Sequence, residues 1–247
     1  MKKSERLKIW IKVICDYCCS FFPSKAKILS SEETIDFACT GKKSIIRFGD
    51  GEFNIIQGGN VHYQEYNADL ERDMLKILNE YSEKSPYLLC VPYRYFSKNN
   101  LVLNRRVLIA CWSTPKKIFK RYIKKDVLYG DAFVFSKNNS KKSYQRIWKD
   151  SKAIVLVHNN EMYLKEAFDS KRQKGFFVKV PSKNSYEIID KIEDVIEKIY
   201  IENDLLKENT AVLLSAGPAA KVLAYRMALN GYRMIDCGHV WDDPLEV

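Results

Sequence analysis

Two carboxylates that flank one glycine are the residues of this sequence best placed to do chemistry. Asp50 and Glu52 lie on either side of Gly51 and follow Ser44–Phe48, a β-rich run that predicts a strand. If the chain stays extended after that strand, residues two apart project to the same side, so the two carboxylates converge. Convergent carboxylate oxygens suit Mg²⁺ or Mn²⁺, which complete their coordination with water and substrate phosphates. The alternative interpretation is an acidic surface turn, in which Asp-Gly only satisfies turn geometry.

Arg47 and Gly49 precede the acidic pair in the same loop. In open α/β sheets, ligands bind beyond the carboxyl ends of the strands, where this loop is expected. A guanidinium at Arg47 suits either of two tasks, namely contact with an anionic ligand or a bidentate brace on a carboxylate. We therefore include Arg47 and Gly49 in a candidate site with Asp50 and Glu52.

A second candidate segment combines a strand, a turn of small residues and a helix. Ser215 and Gly217 occupy the turn, and Lys221 follows one turn into the predicted helix. The N-terminus of a helix offers unpaired N–H groups and a partial positive charge, and both suit a diphosphate. The spacing matches neither a Walker A loop nor the GxGxxG fingerprint. A tight strand-to-helix connection without a ligand is the alternative interpretation.

Two further candidates follow predicted extended segments. His239 comes just after Tyr232–Cys237 and could contact a phosphate, a substrate hydroxyl or a metal ion, or be purely structural. Asp131, in the run YGD, is a candidate general base, because transfer of a group to a hydroxyl needs a carboxylate or imidazole to deprotonate that hydroxyl. His62 and His158 are assigned no role.

The elements that must position these residues alternate between strands and helices. Apolar spacing predicts a helix over Asp69–Glu83, and Thr114-Pro115 is predicted to open a basic helix. Ala153–His158 is a continuous apolar run, typical of a strand buried on both faces of a parallel sheet. The alternation predicts an α/β protein with a Rossmann-like, doubly wound, mostly parallel sheet flanked by helices.

Composition restricts the class of protein. The 247 residues include 41 Lys and Arg against 31 Asp and Glu, a net charge of +10 that favours anionic partners. Seven scattered cysteines, with no cleavable signal peptide, indicate reduced thiols in a cytoplasmic protein. No run reaches the roughly 18 uncharged residues that a membrane-spanning helix needs.

The N-terminal residues have a basic amphipathic pattern. Leu7–Phe22 is largely apolar but is interrupted by Lys8, Lys12 and Asp16. One interpretation is an arm that lies on an anionic membrane surface, peripheral to the inner face of the plasma membrane. The other is a first helix packed on the domain. We divide the chain into a basic amphipathic arm, residues 1–28, and one α/β domain, residues 29–247.

Taken in order, four runs resemble the GT-D glycosyltransferase family, which was first known as a domain of unknown function in bacterial glycan clusters. The runs are RFGDGE at residues 47–52, YGDAF at 129–133, GPAAKVLA at 217–224 and DCGH at 236–239. The resemblance extends from about Ser44 to the C-terminus. It does not include the N-terminal arm, and the acidic tail after His239 departs from the family pattern.

The resemblance implies a glycosyltransferase that moves a hexose, with glucose or galactose favoured, from a UDP-sugar donor. The implied acceptor is a lipid-linked or protein-linked glycan of a bacterial surface polysaccharide or glycoprotein. The implied cofactor is Mn²⁺ or Mg²⁺ held by Asp50 and Glu52, which are predicted catalytic residues together with Asp131. An acid of the C-terminal tail is the alternative to Asp131 as the base that assists the acceptor hydroxyl. The predicted donor-binding residues are Arg47, Gly49, Ser215, Gly217, Lys221 and His239.

Two other functional classes share part of the pattern. A nucleotide-dependent oxidoreductase has the same fold class, but the sequence lacks its glycine fingerprint followed about twenty residues later by a ribose-binding acid. A non-enzymatic nucleotide- or nucleic-acid-binding α/β protein is the alternative function, because it would use the surplus positive charge. The basic residues are nevertheless spread over helices without an RRM, zinc-finger or helix-turn-helix signature, so we expect no nucleic-acid partner.

Overall fold

Apolar runs bounded by turn residues form eight parallel strands in one sheet. The computed structural model describes residues 3–242, so residues 1–2 and 243–247 of the two predicted domain spans lie outside the described residues. The strands are β1 (Lys27–Ile28), β2 (Ser44–Arg47), β3 (Tyr87–Val91), β4 (Leu128–Asp131), β5 (Ala153–His158), β6 (Lys174–Lys179), β7 (Thr210–Leu214) and β8 (Arg233–Asp236). Their order is β1-β4-β3-β2-β8-β7-β5-β6, and each neighbouring pair is parallel. The predicted fold class is confirmed.

Helices cover both faces of this sheet. Successive strand residues alternate between the faces: Ile45 of β2 belongs to one hydrophobic core and Ile46 to the other. Continuous apolar strands are therefore required by the doubly wound architecture. The α-helices of the described residues are α1 (Lys3–Cys19), α2 (Ser31–Gly41), α3 (Asp50–Ile55), α4 (Ala68–Glu80), α5 (Tyr93–Phe96), α6 (Arg106–Tyr122), α7 (Lys141–Gln145), α8 (Leu164–Ala167), α9 (Ile189–Glu202) and α10 (Ala219–Leu229).

The strand order reverses its direction between β2 and β8. From β2 the chain adds β3 and β4 toward one edge, whereas β8, β7, β5 and β6 form the other half. Ile45 of β2 is in register with Ile235 of β8, and Leu214 of β7 with Asp236 of β8. The carboxyl ends of these three strands therefore lie side by side, at the kind of position where open parallel sheets bind ligands.

Helix α6 differs from the sequence prediction. We expected it to open at Thr114-Pro115, but it begins at Arg106 and contains the proline in its interior. A proline lacks an N–H, so one backbone carbonyl in the preceding turn has no helical partner, at a cost of about 3 kcal/mol or more. Trp112 and Phe119 of the same helix are buried in the hydrophobic core. We attribute the continuation through the proline to this burial, which a local pattern does not show.

Helix α1 packs along α6. The Asp16 carboxylate accepts hydrogen bonds from Thr114 Oγ1 at 2.7 Å and from Lys117 Nζ at 2.5 Å. The Tyr17 hydroxyl donates to the backbone oxygen of Asn100 at 3.1 Å. The inner face of α1 thus has the packed arrangement that was one of the two interpretations of this segment. Within residues 3–242, no helix is both long and apolar enough to cross a membrane.

Candidate active site

A cavity of about 690 Å³ lies at the carboxyl ends of the central strands. This volume is within the range of about 300–1,000 Å³ that is usual for small-molecule sites. Its walls come from the segments that follow β2, β4, β5, β7 and β8, together with α6 and the start of α10. Eight of the nine predicted site residues line it: Arg47, Gly49, Asp50, Glu52, Ser215, Gly217, Lys221 and His239.

The acidic pair reaches the cavity from a helix and not from an extended segment. Asp50 and Glu52 lie in the first turn of α3, for which Gly49 is the N-cap. Our premise that the chain stays extended after β2 is therefore wrong. Glu52 Oε2 accepts a hydrogen bond from the Gly49 N–H at 2.7 Å, which satisfies an amide that would otherwise have no helical partner. The local reason for the helix is this cap, together with the burial of Phe53 and Ile55.

A buried network of charges underlies the cavity. Lys221 Nζ lies 3.2 Å from Glu52 Oε1 and 3.3 Å from Asp236 Oδ2. Burial acts to lower the pKa of Lys221, but Asp236 and Glu52 outweigh it and hold the pKa above its usual value. Lys221 also donates to the Gly217 carbonyl at 3.3 Å. Its charge is therefore compensated within the protein, so Lys221 organises the site more than it offers a free cation.

Asp50 differs from Glu52 in its surroundings. Its side chain is exposed to the cavity, whereas Glu52 is buried. The protein around the cavity partly desolvates the Asp50 carboxylate, and this effect, followed by the negative charge of Glu52, raises the pKa of Asp50. An accessible carboxylate whose ionisation is disfavoured gains most from a nearby cation. Asp50 is therefore the more accessible carboxylate of the pair.

Arg47 braces the end of β8. Its Nε donates to the Asp236 carbonyl at 2.7 Å, and its Nη1 donates to the Ala132 carbonyl at 2.9 Å. The Asp236 carboxylate lies 3.6 Å from Nη2. Gly238 has a φ of +57°, and a Cβ at that position would lie 2.0 Å from Nη2. The guanidinium therefore approaches the Asp236 carboxylate through Nη2 alone and not in the bidentate manner considered for it, while two backbone carbonyls accept its other N–H groups.

The turn before α10 forms another wall of the cavity. Gly217 has a φ of +57°, and a Cβ there would lie 2.9 Å from the Tyr63 ring. That ring packs edge-on against His239, with centroids 5.2 Å apart. Among the described residues, the buried hydroxyl oxygen of Ser215 has no hydrogen-bond partner. This orphaned hydroxyl, on a residue that lines the cavity, suits a polar ligand.

Sequence reasoning missed a histidine–carboxylate cluster at the cavity. The Asn160 N–H donates to His158 Nδ1 at 2.9 Å, which places the proton of the neutral ring on Nε2. That nitrogen lies 3.9 Å from Asp242 Oδ2, and His239 Nδ1 lies 3.8 Å from Asp242 Oδ1. Burial lowers the pKa of His158. The available signal was positional, because His158 is the last residue of β5.

Asp131 is the predicted site residue that the structure does not bring to the cavity. It is buried, and its carboxylate accepts hydrogen bonds from the Ser31 hydroxyl and from the backbone amides of Tyr93 and Phe133. These contacts join the start of α2, the start of α5 and the loop after β4. Asp131 is thus occupied as a structural acceptor and does not face the place where a substrate would bind.

Comparisons with known proteins establish the family of this chain. The family model described as glycosyltransferase GT-D fold matches residues 45–244. Glycosyltransferase GlyD of Streptococcus pneumoniae serotype 4 is 26% identical over 234 residues, which cover 85% of this chain and 26% of that protein. Probable glycosyl transferase Gly of Streptococcus gordonii is 24% identical over 230 residues, which cover 86% of this chain and 32% of that protein. The chain spans only about a quarter to a third of the length of these two relatives.

Solved structures share the fold. A highly conserved domain of unknown function 1792, described as having a distinct glycosyltransferase fold, matches with a TM-score of 0.72 at 24% identity, over 92% of this chain and 81% of that one. A glycosyltransferase of the same domain type from Streptococcus sanguinis matches with a TM-score of 0.64 at 21% identity, over 87% and 82%. Because the family model matches most of the sequence, this chain belongs to the family of glycosyltransferases with the GT-D fold.

Proposed function

We propose that this chain transfers a hexose, with glucose or galactose favoured, from a UDP-sugar onto a lipid-linked or protein-linked glycan of a bacterial surface polysaccharide or glycoprotein. The observation that carries the proposal is the cavity in which eight predicted residues from separate segments meet. The family supplies the reaction class, and the UDP-hexose donor rests on the resemblance of residues 47–52 and 217–224. We place the reaction in the cytoplasm, a reducing compartment in which seven free cysteine thiols persist.

We propose Mn²⁺ or Mg²⁺ as the cofactor, held by Asp50 and Glu52. Within residues 3–242, no group of three or more His, Cys, Asp or Glu side chains could hold a metal ion. Two carboxylates still fit these hard cations, because Mg²⁺ usually takes one or two carboxylates and completes its shell with water and substrate phosphates. Both oxygens of Glu52 already accept from Gly49 and Lys221, so only their remaining lone pairs are free. When bound, the cation offsets the charge that develops on the leaving diphosphate.

The groups of the chain itself supply the remaining chemistry. The partial positive charge at the start of α10, next to Gly217, suits the diphosphate. Pro218 has no N–H, and the Ala220 and Lys221 amides already donate to the Gly217 and Pro218 carbonyls, so the helix contributes mainly through its dipole. Lys221 holds Glu52 in position at 3.2 Å. The acceptor oxygen attacks the anomeric carbon, the bond to the diphosphate oxygen breaks, and the hydroxyl proton passes to a base. We propose Asp242 as this base, in place of Asp131, because its carboxylate lines the cavity beside His158 and His239.

Replacing Asp242 with asparagine is expected to lower kcat by about 10²–10⁴-fold, because proton acceptance is lost. The affinity for UDP should change little, since the base contacts the acceptor. The matched control is Asp131→Asn, which should lower the melting temperature but leave kcat of the folded protein intact. Steady-state kinetics with varied acceptor, and the pH profile of kcat, measure the difference. If only the Asp131 variant loses kcat, Asp131 and not Asp242 is the general base.

A panel of nucleotide sugars, tested by thermal denaturation with and without Mn²⁺, tests the donor assignment. A ligand at about 100 times its Kd stabilises the native state by about 2.7 kcal/mol, a rise of roughly 5–10 °C in the melting temperature for a chain of this size. We expect UDP-glucose or UDP-galactose to give this rise, and only with the cation. Equal shifts without a divalent cation would contradict the metal assignment. A larger rise with a different nucleobase or a different sugar would change the donor assignment to that nucleotide sugar.

A further inference from the structure

The outer face of α1 carries an apolar stripe. Leu7, Ile11 and Ile14 are 62%, 53% and 55% exposed, and Cys15 and Cys18 on the same face are also exposed. Their spacing of three or four residues places them on one side of the helix. Of the thirteen large hydrophobic side chains exposed within residues 3–242, five lie between residues 7 and 22. The stripe is therefore a local concentration of apolar surface.

Helix α1 cannot bury this stripe by rotating, because its opposite face is held by α6 and the neighbouring loop. Val13, Asp16 and Ser20 are buried on that inner face. Besides the contacts of Asp16 described above, the Ser20 hydroxyl donates to the Ser113 carbonyl at 3.3 Å, and the Arg106 guanidinium lies over the Trp10 ring at 4.3 Å. The outer face is thus presented by a fixed helix.

The surroundings of the stripe are strongly basic. Residues 84–125, which include α5 and α6, contain eleven Lys and Arg and no Asp or Glu, and residues 1–31 contain seven Lys and Arg against two Asp and Glu. The rest of the chain holds the remaining 23 basic and 29 acidic residues and is net negative. Lys8 and Lys12 of α1 are exposed, and so are Arg105 and Arg106 at the start of α6, where the Arg106 guanidinium lies over the Trp10 ring of α1. The positive charge of the sequence is therefore concentrated in the segments that contain α1 and α6.

We propose that the side of the molecule that carries α1 docks on an anionic lipid bilayer, with the stripe of α1 inserted at the headgroup boundary. An apolar face flanked by lysine and arginine is complementary to such a surface, since the apolar side chains leave water and the cations meet lipid phosphates. A second copy of this chain would bring two strongly basic surfaces together. The charge therefore favours a bilayer over self-association.

Membrane docking would place the cavity close to lipid-linked substrates. Helix α6 separates the two sites: Leu108, Cys111 and Trp112 line the cavity, whereas Arg106, Ser113 and Lys117 face α1. Two helix diameters, about 20 Å, thus separate the stripe from the cavity. This consequence, and a preference for a lipid-linked acceptor, rest on the proposed function. The docking itself does not.

Vesicle co-sedimentation of the full chain tests the docking. We expect binding to phosphatidylcholine vesicles that contain phosphatidylglycerol, weak binding to phosphatidylcholine alone, and loss of binding at high salt. The triple variant Leu7→Gln, Ile11→Gln and Ile14→Gln should bind at least about tenfold more weakly. Lys8→Gln and Lys12→Gln should each weaken binding about fivefold. All these side chains are exposed, so the melting temperature should stay within a few degrees of the wild type.

The matched control is Ile201→Gln with Leu229→Gln, which removes two exposed apolar side chains from outside α1 and α6. This variant should bind vesicles like the wild type. Equal binding by the triple variant, or no preference of the wild type for anionic vesicles, would overturn the docking. So would a wild-type dimer in sedimentation velocity that the triple variant converts to a monomer. Because the assay needs neither donor nor acceptor, its failure leaves the proposed reaction untouched.

Discussion

Lys221→Met is expected to lower the free energy of unfolding by about 3–5 kcal/mol, the usual cost of removing one partner from a buried ion pair. The lysine is 6% exposed and lies between the buried carboxylates of Glu52 and Asp236. Methionine fills much of the same volume, so the loss comes from uncompensated charge and not from a void. Urea denaturation followed by circular dichroism measures it.

A second buried lysine provides the matched control. Lys116 is fully buried, but its Nζ donates only to the Lys98 carbonyl and to Asn100 Oδ1, and burial lowers its pKa to about 8. Lys116→Met also removes a charge that folding disfavours at neutral pH, which offsets the two lost hydrogen bonds. Its effect should be about 1 kcal/mol or less. Equal losses in both variants would show that Glu52 and Asp236 do not depend on Lys221.

The effect of Lys221→Met should also depend on its partner. In the double variant with Glu52→Gln, one of the two stranded carboxylates is already neutral. The loss should therefore be smaller than the sum of the two single losses, by about 0.5–3 kcal/mol. If the losses in the free energy of unfolding are additive, the two side chains do not interact directly.

Asp50→Asn is expected to reduce metal-dependent release of UDP from the donor by about 10²–10³-fold, the usual effect of removing one group that stabilises developing charge. Asparagine keeps the shape of the side chain but removes the negative charge that attracts the cation. Asp69→Asn is the matched control, because Asp69 is also an exposed acid in the first helical turn, at α4, and does not line the cavity. It should retain full turnover.

The stability of the Asp50 variant gives an independent check. The pKa of Asp50 is raised above its ordinary value of 3.8 by partial desolvation at the cavity and by the negative charge of Glu52. Below pH 3.8 the carboxyl is protonated in both the folded and the unfolded state, so wild type and variant should be equally stable with respect to this group. Between pH 3.8 and the raised pKa, the unfolded wild type ionises while the folded carboxyl stays protonated, so the wild type loses stability relative to the variant, and this loss is complete above the raised pKa. Without metal, the variant should be no less stable at neutral pH, and a less stable variant would contradict the described surroundings.

The parallel sheet could be predicted from sequence because both of its faces are buried. The sequence predicts Ala153–His158 with both boundaries correct, since a short, continuous apolar run is typical of a central strand in such a sheet. Helix α3 was missed because two glycines beside Asp50 favour a loop. The interaction that favours the helix, the cap from Glu52, becomes visible only after the chain has turned. The start of α6 was missed because proline usually marks a boundary.

The sequence could predict site residues that come directly after a strand. It could not predict whether each side chain points into the cavity. Asp131 follows the same rule of position, yet backbone amides and Ser31 occupy its carboxylate. His158 was missed because its partner, Asp242, is distant in sequence and meets it only through the fold. Asp236 is the common partner of Lys221 and Arg47. This role could not be predicted because Arg47 is distant from Asp236 in sequence and meets it only through the fold.

Anomalous diffraction from a crystal that contains Mn²⁺ and UDP tests the central claim most directly. We expect a manganese peak in the cavity, about 2.1 Å from an Asp50 carboxylate oxygen, with diphosphate oxygens completing the shell beside the start of α10. UDP bound in the cavity without manganese near Asp50 would contradict the metal assignment. Manganese and UDP bound elsewhere on the molecule would contradict the whole account of the site.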